Sequence, residues 1–356
     1  MDRRGLEEAP REEGSRDAAT AGRPAGQNPA SSRPSPVVSR LVYILAASHS
    51  GSTLLAMLLG AHSEIATIGE LNAVGLPRKE GYCCSCGIRL EECGFWRALG
   101  DAMARRGHSL SATDLHSISS AYVSRLISPL HRGPRLERLR DAALTLSPTW
   151  RRAFPLVAAR NVALVQAVCE VTGKRMVVDS SKVALRLKYL LREPALDVRV
   201  LRLVRDGRGV SLTYMRPYHF ADSADPSRRA GGRGVNYDRL YMTARRAARL
   251  WRRSNEDAEM LLRGLPRQQW LDLRYEDLCT RPAETLRRIY AFLEVNPDGG
   301  TLDYRSRPHH VIGNGMRLDP SSEIRLDERW RTVLTARELR AFDRVAGPMN
   351  RGYGYA

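Results

Sequence analysis

Short apolar runs alternate with longer helical patterns from Leu41 onward, and this alternation constrains the fold more than any other feature of the chain. Four of the runs have the length and apolar character of buried strands, and they cover residues 41–47, 175–181, 197–206 and 269–278. Strands that alternate with helices usually pair in parallel through right-handed crossovers. The sequence therefore predicts an α/β fold with a central parallel sheet flanked by helices.

Each predicted strand is followed by a helical pattern. Helices are predicted from Ser52 to Ala61, in "KVALRLKYLL" after the second strand, and through Tyr214 after the third. The fourth strand is followed by a helix over residues 282–295, which has proline in its first turn.

The remaining segments differ in composition from these units. Residues 1–37 hold few aliphatic side chains and are predicted to form a disordered N-terminal tail, followed by a single domain over residues 38–356. Within that domain, residues 112–172 and 238–262 are predicted to be helical insertions. The Gly- and Ser-rich segment 216–237 is predicted to be a mobile loop and a candidate lid.

The formal net charge is +18, and almost all of the basic residues are arginine. Two interpretations stay open, a GC-rich genome or a protein that handles polyanions. The tail lacks the apolar core of a secretory signal, and by sequence pattern no later stretch approaches the ~20 apolar residues of a bilayer span. We therefore expect a cytoplasmic protein with no membrane partner.

The segment "SHSGST", which runs from Ser48 through His49, Ser50, Gly51 and Ser52 to Thr53, lies between the first strand and its helix. Ligands bind at the carboxyl ends of parallel strands, and the N–H groups at a helix start favour an anion. Glycine allows a ligand to approach the backbone, and the hydroxyl groups add donors. The alternative is an ordinary turn in which Ser and Thr cap the helix.

No Gly-Lys-Ser/Thr occurs in the chain, so the lysine of a Walker A loop is missing. This loop therefore suits one phosphate without a metal, which argues against hydrolysis of ATP or GTP.

A second anion site is predicted in "RLVRDGRGVSLTY". Arg205 stands at a strand end, and Thr213 lies about two helical turns further on, so that a guanidinium and a hydroxyl can face one ligand. In the alternative interpretation, Asp206 caps the helix and the arginines lie in solvent.

Four of the six cysteines crowd into "YCCSCGIRLEECGFW". Cys84, Cys86 and Cys93 have a spacing that could hold zinc, but the sequence shows no histidine partner nearby. Reduced cysteines in a glycine-containing turn are the alternative, and it is slightly favoured.

The two phosphate motifs together resemble those of sulfotransferases that use 3′-phosphoadenosine 5′-phosphosulfate (PAPS). "SHSGSTLL" is similar to the 5′-phosphosulfate loop of that family, and "LVRDGRGVSLTY" to its 3′-phosphate motif, with Arg205 and Thr213 at the binding positions. The resemblance extends over residues 40–356, and further short motifs recur in bacterial members. It implies a P-loop NTPase-like sulfotransferase fold, PAPS as donor, 3′-phosphoadenosine 5′-phosphate (PAP) as product, and no required metal.

The resemblance also implies individual roles. Glu70 matches the catalytic base of tyrosylprotein-type members, although a surface carboxylate that caps the next helix is the alternative. Lys182 matches a strand-end lysine, while position 184 is alanine where many cytosolic members have a catalytic histidine. His49 stands where the family usually has Lys or Arg, so it would need to be protonated to act at the leaving group.

Two further residues receive roles in cofactor binding from the resemblance. Tyr275 is implied to line the nucleotide pocket, and Arg317 in "GNGMR" to contact the 3′-phosphate. The expected reaction is in-line sulfuryl transfer to a hydroxyl of a sugar, a natural product or a peptide tyrosine, which makes a small-molecule or glycan acceptor the expected partner.

Two other functions are alternatives to sulfuryl transfer. A kinase-like P-loop enzyme is considered because "RMVVD", ending at Asp179, imitates a Walker B strand, but the missing Walker lysine argues against it. A nucleic-acid-binding protein would use the net charge, yet no helix combines basic residues with base-reading aromatics. No nucleic-acid partner is therefore expected.

Overall fold

A computed structural model of the chain describes residues 38–71, 82–110, 137–217 and 242–356. The predicted tail lies outside these ranges, as do most of the predicted lid loop and the first part of the first helical insertion. These three expectations stay predictions.

Five strands form one sheet in which every neighbouring pair is parallel, in the order β2-β3-β1-β4-β5. The strands are β1 (Ser39–Ala46), β2 (Ile65–Gly69), β3 (Met176–Lys182), β4 (Leu196–Val204) and β5 (Trp270–Arg274). The predicted α/β architecture with a central parallel sheet is confirmed.

Eleven α-helices are described, and they cover both faces of this sheet. They are α1 (Ser52–Gly60), α2 (Gly94–Arg105), α3 (Glu137–Leu146), α4 (Pro148–Thr172), α5 (Ala184–Leu190), α6 (Gly207–Met215), α7 (Ala244–Leu262), α8 (Tyr275–Thr280), α9 (Pro282–Leu293), α10 (Trp330–Val333) and α11 (Ala336–Gly352). Their order along the chain agrees with the predicted alternation of strands and helices.

The central strand β1 separates two hydrophobic cores. Leu41, Tyr43 and Leu45 pack with residues of α2 and α4 on one face, whereas Val42 and Ile44 pack with α1 and α9 on the other. Successive side chains of a strand point to opposite faces, so a strand covered on both sides must be apolar throughout. This explains why "LVYILAA" shows no polar alternation.

Two details of the predicted strands were wrong. The strand β2 was not predicted, because the five residues of "IATIG", four of them buried, carry too little periodicity to distinguish a strand from a short turn. The fourth predicted strand is too long, since β5 ends at Arg274 and α8 begins at Tyr275. Glu276 and Asp277 lie in the first turn of α8, where carboxylates complement the helix dipole.

The helix α4 corrects the expectation about membrane spans. By length and apolar composition alone it could cross a bilayer, with a mean hydropathy of 1.4 in its most apolar window. Only 39% of this apolar stretch is buried inside the protein. One side of the helix nevertheless belongs to the core, because Leu164 and Val168 pack there beside the sheet. A core helix meets the same two criteria, so α4 is weak evidence for a membrane span.

Asp179, near the end of β3, is fully buried and binds two neighbouring strand ends. Its Oδ1 accepts hydrogen bonds from the backbone N–H of Leu71 at 3.3 Å and of Ser181 at 2.9 Å. Its Oδ2 accepts from Nε of Arg186 at 2.9 Å, and that guanidinium also donates to Asn161 at 3.0 Å. Leu71 lies two residues beyond the end of β2, so one carboxylate links the carboxyl ends of β2 and β3.

We expect Asp179→Asn to lower the free energy of unfolding by about 3–5 kcal/mol, because it leaves the buried Arg186 guanidinium without a counter-charge. The matched control is Asp197→Asn, whose ion pair with Arg40 is one-third exposed and should contribute less than about 1 kcal/mol. Urea denaturation of both variants measures the difference. Equal losses in the two variants would contradict a central role for Asp179.

Candidate active site

Each of the five parallel strands ends beside a residue or loop that was predicted to form the site. In spatial order across the sheet, Glu70 follows β2, Lys182 ends β3, the loop 48–53 follows β1, Arg205 follows β4, and Tyr275 follows β5. The carboxyl ends of parallel strands lie at one edge of a sheet, which is where ligands bind in open α/β folds. Residues separated by more than two hundred positions therefore share one surface.

The loop 48–53 is shaped by its backbone. Gly51 has a φ of 88°, and a Cβ atom there would lie 2.5 Å from the ring of Tyr275, so only glycine fits. The side chains of Ser50, Ser52 and Thr53 are buried. Ser50 Oγ has no hydrogen-bond partner among the described residues. A buried hydroxyl without a partner costs free energy, and a phosphate oxygen would satisfy it.

Glu70 and Lys182 form an ion pair at the edge of the sheet. Lys182 Nζ contacts Glu70 Oε1 and also donates to the carbonyl oxygen of Ser180 at 3.2 Å. The lysine backbone is left-handed, with a φ of 71°, which directs the chain out of β3 at this point. The structure thus brings the predicted base and the predicted leaving-group cation into direct contact, instead of leaving Glu70 as an isolated surface carboxylate.

Arg205 is nearly buried and has several partners. Its guanidinium donates to the carbonyl oxygen of His49 at 2.9 Å and to Asp327 Oδ2 at 2.9 Å, and it lies 4.4 Å from the centre of the Tyr275 ring. Burial alone would raise the pKa of the Asp327 carboxyl group. Its hydrogen bonds and charge interactions with Arg329 and Arg205 outweigh burial and hold this pKa well below its usual range. The carboxylate of Asp327 therefore occupies the guanidinium face that an anionic ligand would need.

The segment after β4 agrees with the capping interpretation in one respect and differs from it in another. Asp206 does cap α6, because its side chain accepts a hydrogen bond from the N–H of Arg208 at 2.9 Å. Arg205, however, does not lie in solvent. Thr213 is buried in α6, and its Oγ1 donates to the carbonyl oxygen of Gly209 at 3.2 Å, so its role in binding stays a prediction.

His49 contributes a neutral ring to the site. Its imidazole packs edge-on against Tyr214 at 4.9 Å between ring centres, and Tyr214 is hydrogen-bonded to Ser48. Burial, with help from the positive charges of Lys182 and Arg205, lowers the pKa of His49 from 6.5 to about 4. The chain alone therefore keeps His49 uncharged at neutral pH.

We expect the His49 ring to titrate near pH 4 in a proton NMR titration, with the His49→Gln variant used to assign its signal. Since the pKa is lower in the folded state, the unfolded chain binds this proton first, and stability falls as the pH drops from 6.5 towards 4. Wild type should therefore lose more stability than His49→Gln between pH 7 and pH 5. A His49 signal that titrates near 6.5 would contradict this expectation.

The remaining predicted residues separate into two places. Tyr275 lies in the site, with its ring against Gly51 and its hydroxyl bonded to the backbone of Arg325 and Asp327. Arg317 is fully buried and donates to the carbonyl oxygens of Gly313, Asn314 and Cys83. Among the described residues, its side chain forms no hydrogen bond with Arg205 or Thr213. Its predicted contact with a 3′-phosphate stays untested.

The residue that imitates a Walker B aspartate has a different part in this fold. Asp179 is fully buried, and both of its carboxylate oxygens accept hydrogen bonds from protein groups. A magnesium ion would have to displace Arg186 or a backbone N–H to reach it. This arrangement gives the kinase-like alternative no support.

One residue beside the site was missed by the sequence. His310 lies with Cys84, Cys86 and Cys93, and the four candidate ligand atoms are within 4.8 Å of one another. His310 lies 226 positions from Cys84 in the sequence, so no local spacing pattern could have indicated that it joins the cysteines.

Part of the chain is similar in sequence to known proteins. The sequence profile of the sulfotransferase family matches residues 174–298. Over this segment, the chain is similar to the sulfotransferase family. The matched segment contains Lys182, Arg205, Thr213 and Tyr275, whereas Glu70 precedes it.

Similar individual proteins carry related names. Carbohydrate sulfotransferase 2 of Homo sapiens is 28% identical over 187 residues, which are 43% of this chain and 34% of that protein. Carbohydrate sulfotransferase 1 of Mus musculus is 31% identical over 140 residues, which are 38% of this chain and 31% of that protein. The chain thus spans about a third of the length of these curated relatives.

Among solved structures, the sulfotransferase domain from the curacin biosynthetic pathway is 20% identical, with a TM-score of 0.46. The alignment covers 88% of this chain and 98% of that domain.

Proposed function

We propose that this protein transfers a sulfuryl group from PAPS to a hydroxyl group of an acceptor. The observation that carries the proposal is the convergence of a lysine-free phosphate loop, Arg205 and the Glu70–Lys182 pair at one edge of the sheet. The match of residues 174–298 to the sulfotransferase family supports it.

The residues present fit an anionic donor. Ser50 Oγ is buried in the loop without a described partner, and Lys182 and Arg205 both act electrostatically on His49. In the proposal, the N–H groups and hydroxyls of the loop 48–53 hold the 5′-phosphate. Arg205 and Thr213 hold the 3′-phosphate after Arg205 exchanges the Asp327 carboxylate for it, and Tyr275 lines the nucleotide side.

The bound donor supplies a sulfuryl group attached to a phosphate leaving group. In the proposed mechanism, Glu70 accepts the proton of the attacking hydroxyl as a general base. Lys182 Nζ stabilises the negative charge that develops on the oxygen between sulfur and phosphate as the bond from that oxygen to sulfur breaks. His49 is neutral in the free chain, so Lys182 supplies most of the positive charge at that place.

We expect Glu70→Gln to reduce turnover by about 10²- to 10⁴-fold, the usual contribution of a general base, while PAP binding is retained. The matched control is Glu64→Gln, because Glu64 precedes β2 and Glu70 follows it. Transfer of radiolabelled sulfate to an accepted hydroxyl compound measures turnover, and calorimetry measures PAP binding. Full turnover in Glu70→Gln would remove Glu70 from the role of base.

We expect Arg205→Ala to weaken PAP binding by about 10- to 100-fold, because a charge-assisted hydrogen bond contributes about 1.5–3 kcal/mol. Binding of 5′-AMP, which has no 3′-phosphate, should change much less. Arg199→Ala is the control, because Arg199 lies within β4, away from the carboxyl end that Arg205 follows. Equal losses for PAP and 5′-AMP would contradict the assignment of Arg205 to the 3′-phosphate.

Thermal shift of the wild-type chain with PAP, with ATP and magnesium, and with an oligonucleotide separates the proposal from its two alternatives. The proposal expects stabilisation by PAP alone. Stabilisation by ATP with magnesium, or salt-sensitive stabilisation by the oligonucleotide, would favour the kinase-like or the nucleic-acid-binding alternative.

For the acceptor, we propose a carbohydrate hydroxyl as the first class to screen. The support is the name of the relatives, carbohydrate sulfotransferases 1 and 2. Natural-product hydroxyls and peptide tyrosine are the competing classes in the same screen, and a product from either of them would replace the carbohydrate proposal.

A further inference from the structure

Three cysteines and one histidine converge on a single point beside the sheet edge. Cys84 Sγ and Cys93 Sγ lie 3.6 Å and 3.5 Å from Nδ1 of His310, and Cys86 Sγ lies 3.7 Å from Cys93 Sγ. All four ligand atoms are within 4.8 Å of one another. Cys84 and Cys93 are almost completely buried, so the cluster is not a chance group of surface side chains.

We propose that Cys84, Cys86, Cys93 and His310 bind one zinc ion in a tetrahedral, structural site. Bond lengths of about 2.3 Å to sulfur and 2.0–2.1 Å to nitrogen place tetrahedral sulfurs about 3.8 Å apart and a sulfur–nitrogen pair about 3.6 Å apart. The three short distances in the cluster agree with these values. Thiolate and imidazole ligands in this number and geometry favour zinc over harder cations.

The local backbone presents the ligands from separate directions. Cys84 and Cys86 flank a tight turn that continues through Gly87, whose φ is 86°, and the N–H of Gly87 donates to the carbonyl oxygen of Cys84 at 2.9 Å. Cys93 directly precedes α2. The His310 ring is stacked on Phe95 at 4.5 Å with an interplanar angle of 4°, which fixes its orientation.

Ser85 joins the two segments independently of any metal. Its Oγ donates to the carbonyl oxygen of His309 at 2.9 Å and accepts from the N–H of Val311 at 2.7 Å. The histidine is therefore held in register with the cysteine turn on both sides. Ligands that are positioned by such supporting bonds lose little entropy when the ion binds.

The charge around the cluster gives a second, independent argument. Arg317 is fully buried, and its guanidinium donates to the carbonyl oxygen of Cys83 at 2.7 Å. No carboxylate pairs with it in the part of the chain that the structure describes. An uncompensated buried charge is costly. Binding of Zn²⁺ by three thiolates and a neutral imidazole releases three protons to solvent and leaves a net charge of −1 beside Arg317.

The position of the cluster gives the zinc a structural role near the active site. Four protein ligands leave no open coordination position for a substrate. The chain after His310 runs beside β2, where the N–H of Ile312 donates to Ile68 and the N–H of Glu70 donates to Ile312. Zinc would therefore fix the segment that borders Glu70 without taking part in sulfuryl transfer.

The test begins with the full-length wild-type chain, purified under reducing conditions and loaded with zinc alone. We expect about one zinc per chain by elemental analysis, and a shell of three sulfurs and one nitrogen by zinc X-ray absorption. Replacement by cobalt should give the thiolate charge-transfer band and the intense visible bands of a tetrahedral ion. A shell of oxygen and nitrogen only, or a Cys86–Cys93 disulfide found by mass spectrometry, would overturn the proposal.

Variants then locate the site. Cys93→Ser and His310→Ala should weaken zinc binding by more than about 100-fold in competition with a chromophoric chelator, because loss of a ligand exceeds the effect of a supporting residue. Cys83→Ser and Cys169→Ser are the matched controls, since both cysteines lie outside the cluster and both variants should bind zinc like wild type. Unchanged affinity in Cys93→Ser and His310→Ala would overturn the proposal.

The wild-type measurements do not depend on the folding of any variant, and none of these readouts requires sulfuryl transfer. The zinc proposal and the proposed function can therefore fail separately. On chelation of the wild-type chain, hydrogen exchange should rise in residues 82–93 and 309–317 and stay unchanged in β4 and β5. A uniform rise through the whole sheet would contradict a local structural role.

Discussion

The Asp179 carboxylate is the contact on which the arrangement of the site depends. It is buried at the end of β3, is paired with Arg186, and accepts backbone hydrogen bonds from Leu71 and Ser181. These two residues are the immediate neighbours of Glu70 and Lys182. A buried ion pair adds little net stability, but it is costly to break and so specifies one arrangement. The relative position of Glu70 and Lys182 is thus set from inside the protein.

The parallel sheet does the rest of the assembly. Its five strands end at one edge, so a loop after β1, an arginine after β4 and a tyrosine after β5 meet although they are distant in sequence. Contacts across this edge then connect them, because Arg205 bonds to His49 and stacks on Tyr275, which in turn packs against Gly51. The predicted anion-binding elements therefore form one connected surface and not two separate sites.

The secondary structure was predicted correctly where its pattern is local. A strand, a glycine-containing turn and a helix follow one another around Gly51, and a strand followed by a helix surrounds Arg205. Such patterns depend on periodicity and turn chemistry, which neighbours in sequence determine. The strand β2 was missed because its five residues are recognisable only through their pairing with β3. The end of β5 was misplaced because Tyr275 is apolar enough to extend a strand pattern.

The sequence by itself determined the α/β class, the turn between β1 and α1, and the residues that can carry charge or hydroxyl groups. Tertiary structure decided that Glu70 pairs with Lys182, that Asp327 occupies Arg205, that His49 is kept neutral, and that His310 joins the three cysteines. The physical reason is that periodicity reports only which face of an element is buried. The partner on that face, and with it the local charge and pKa, comes from packing between segments that are far apart in the chain.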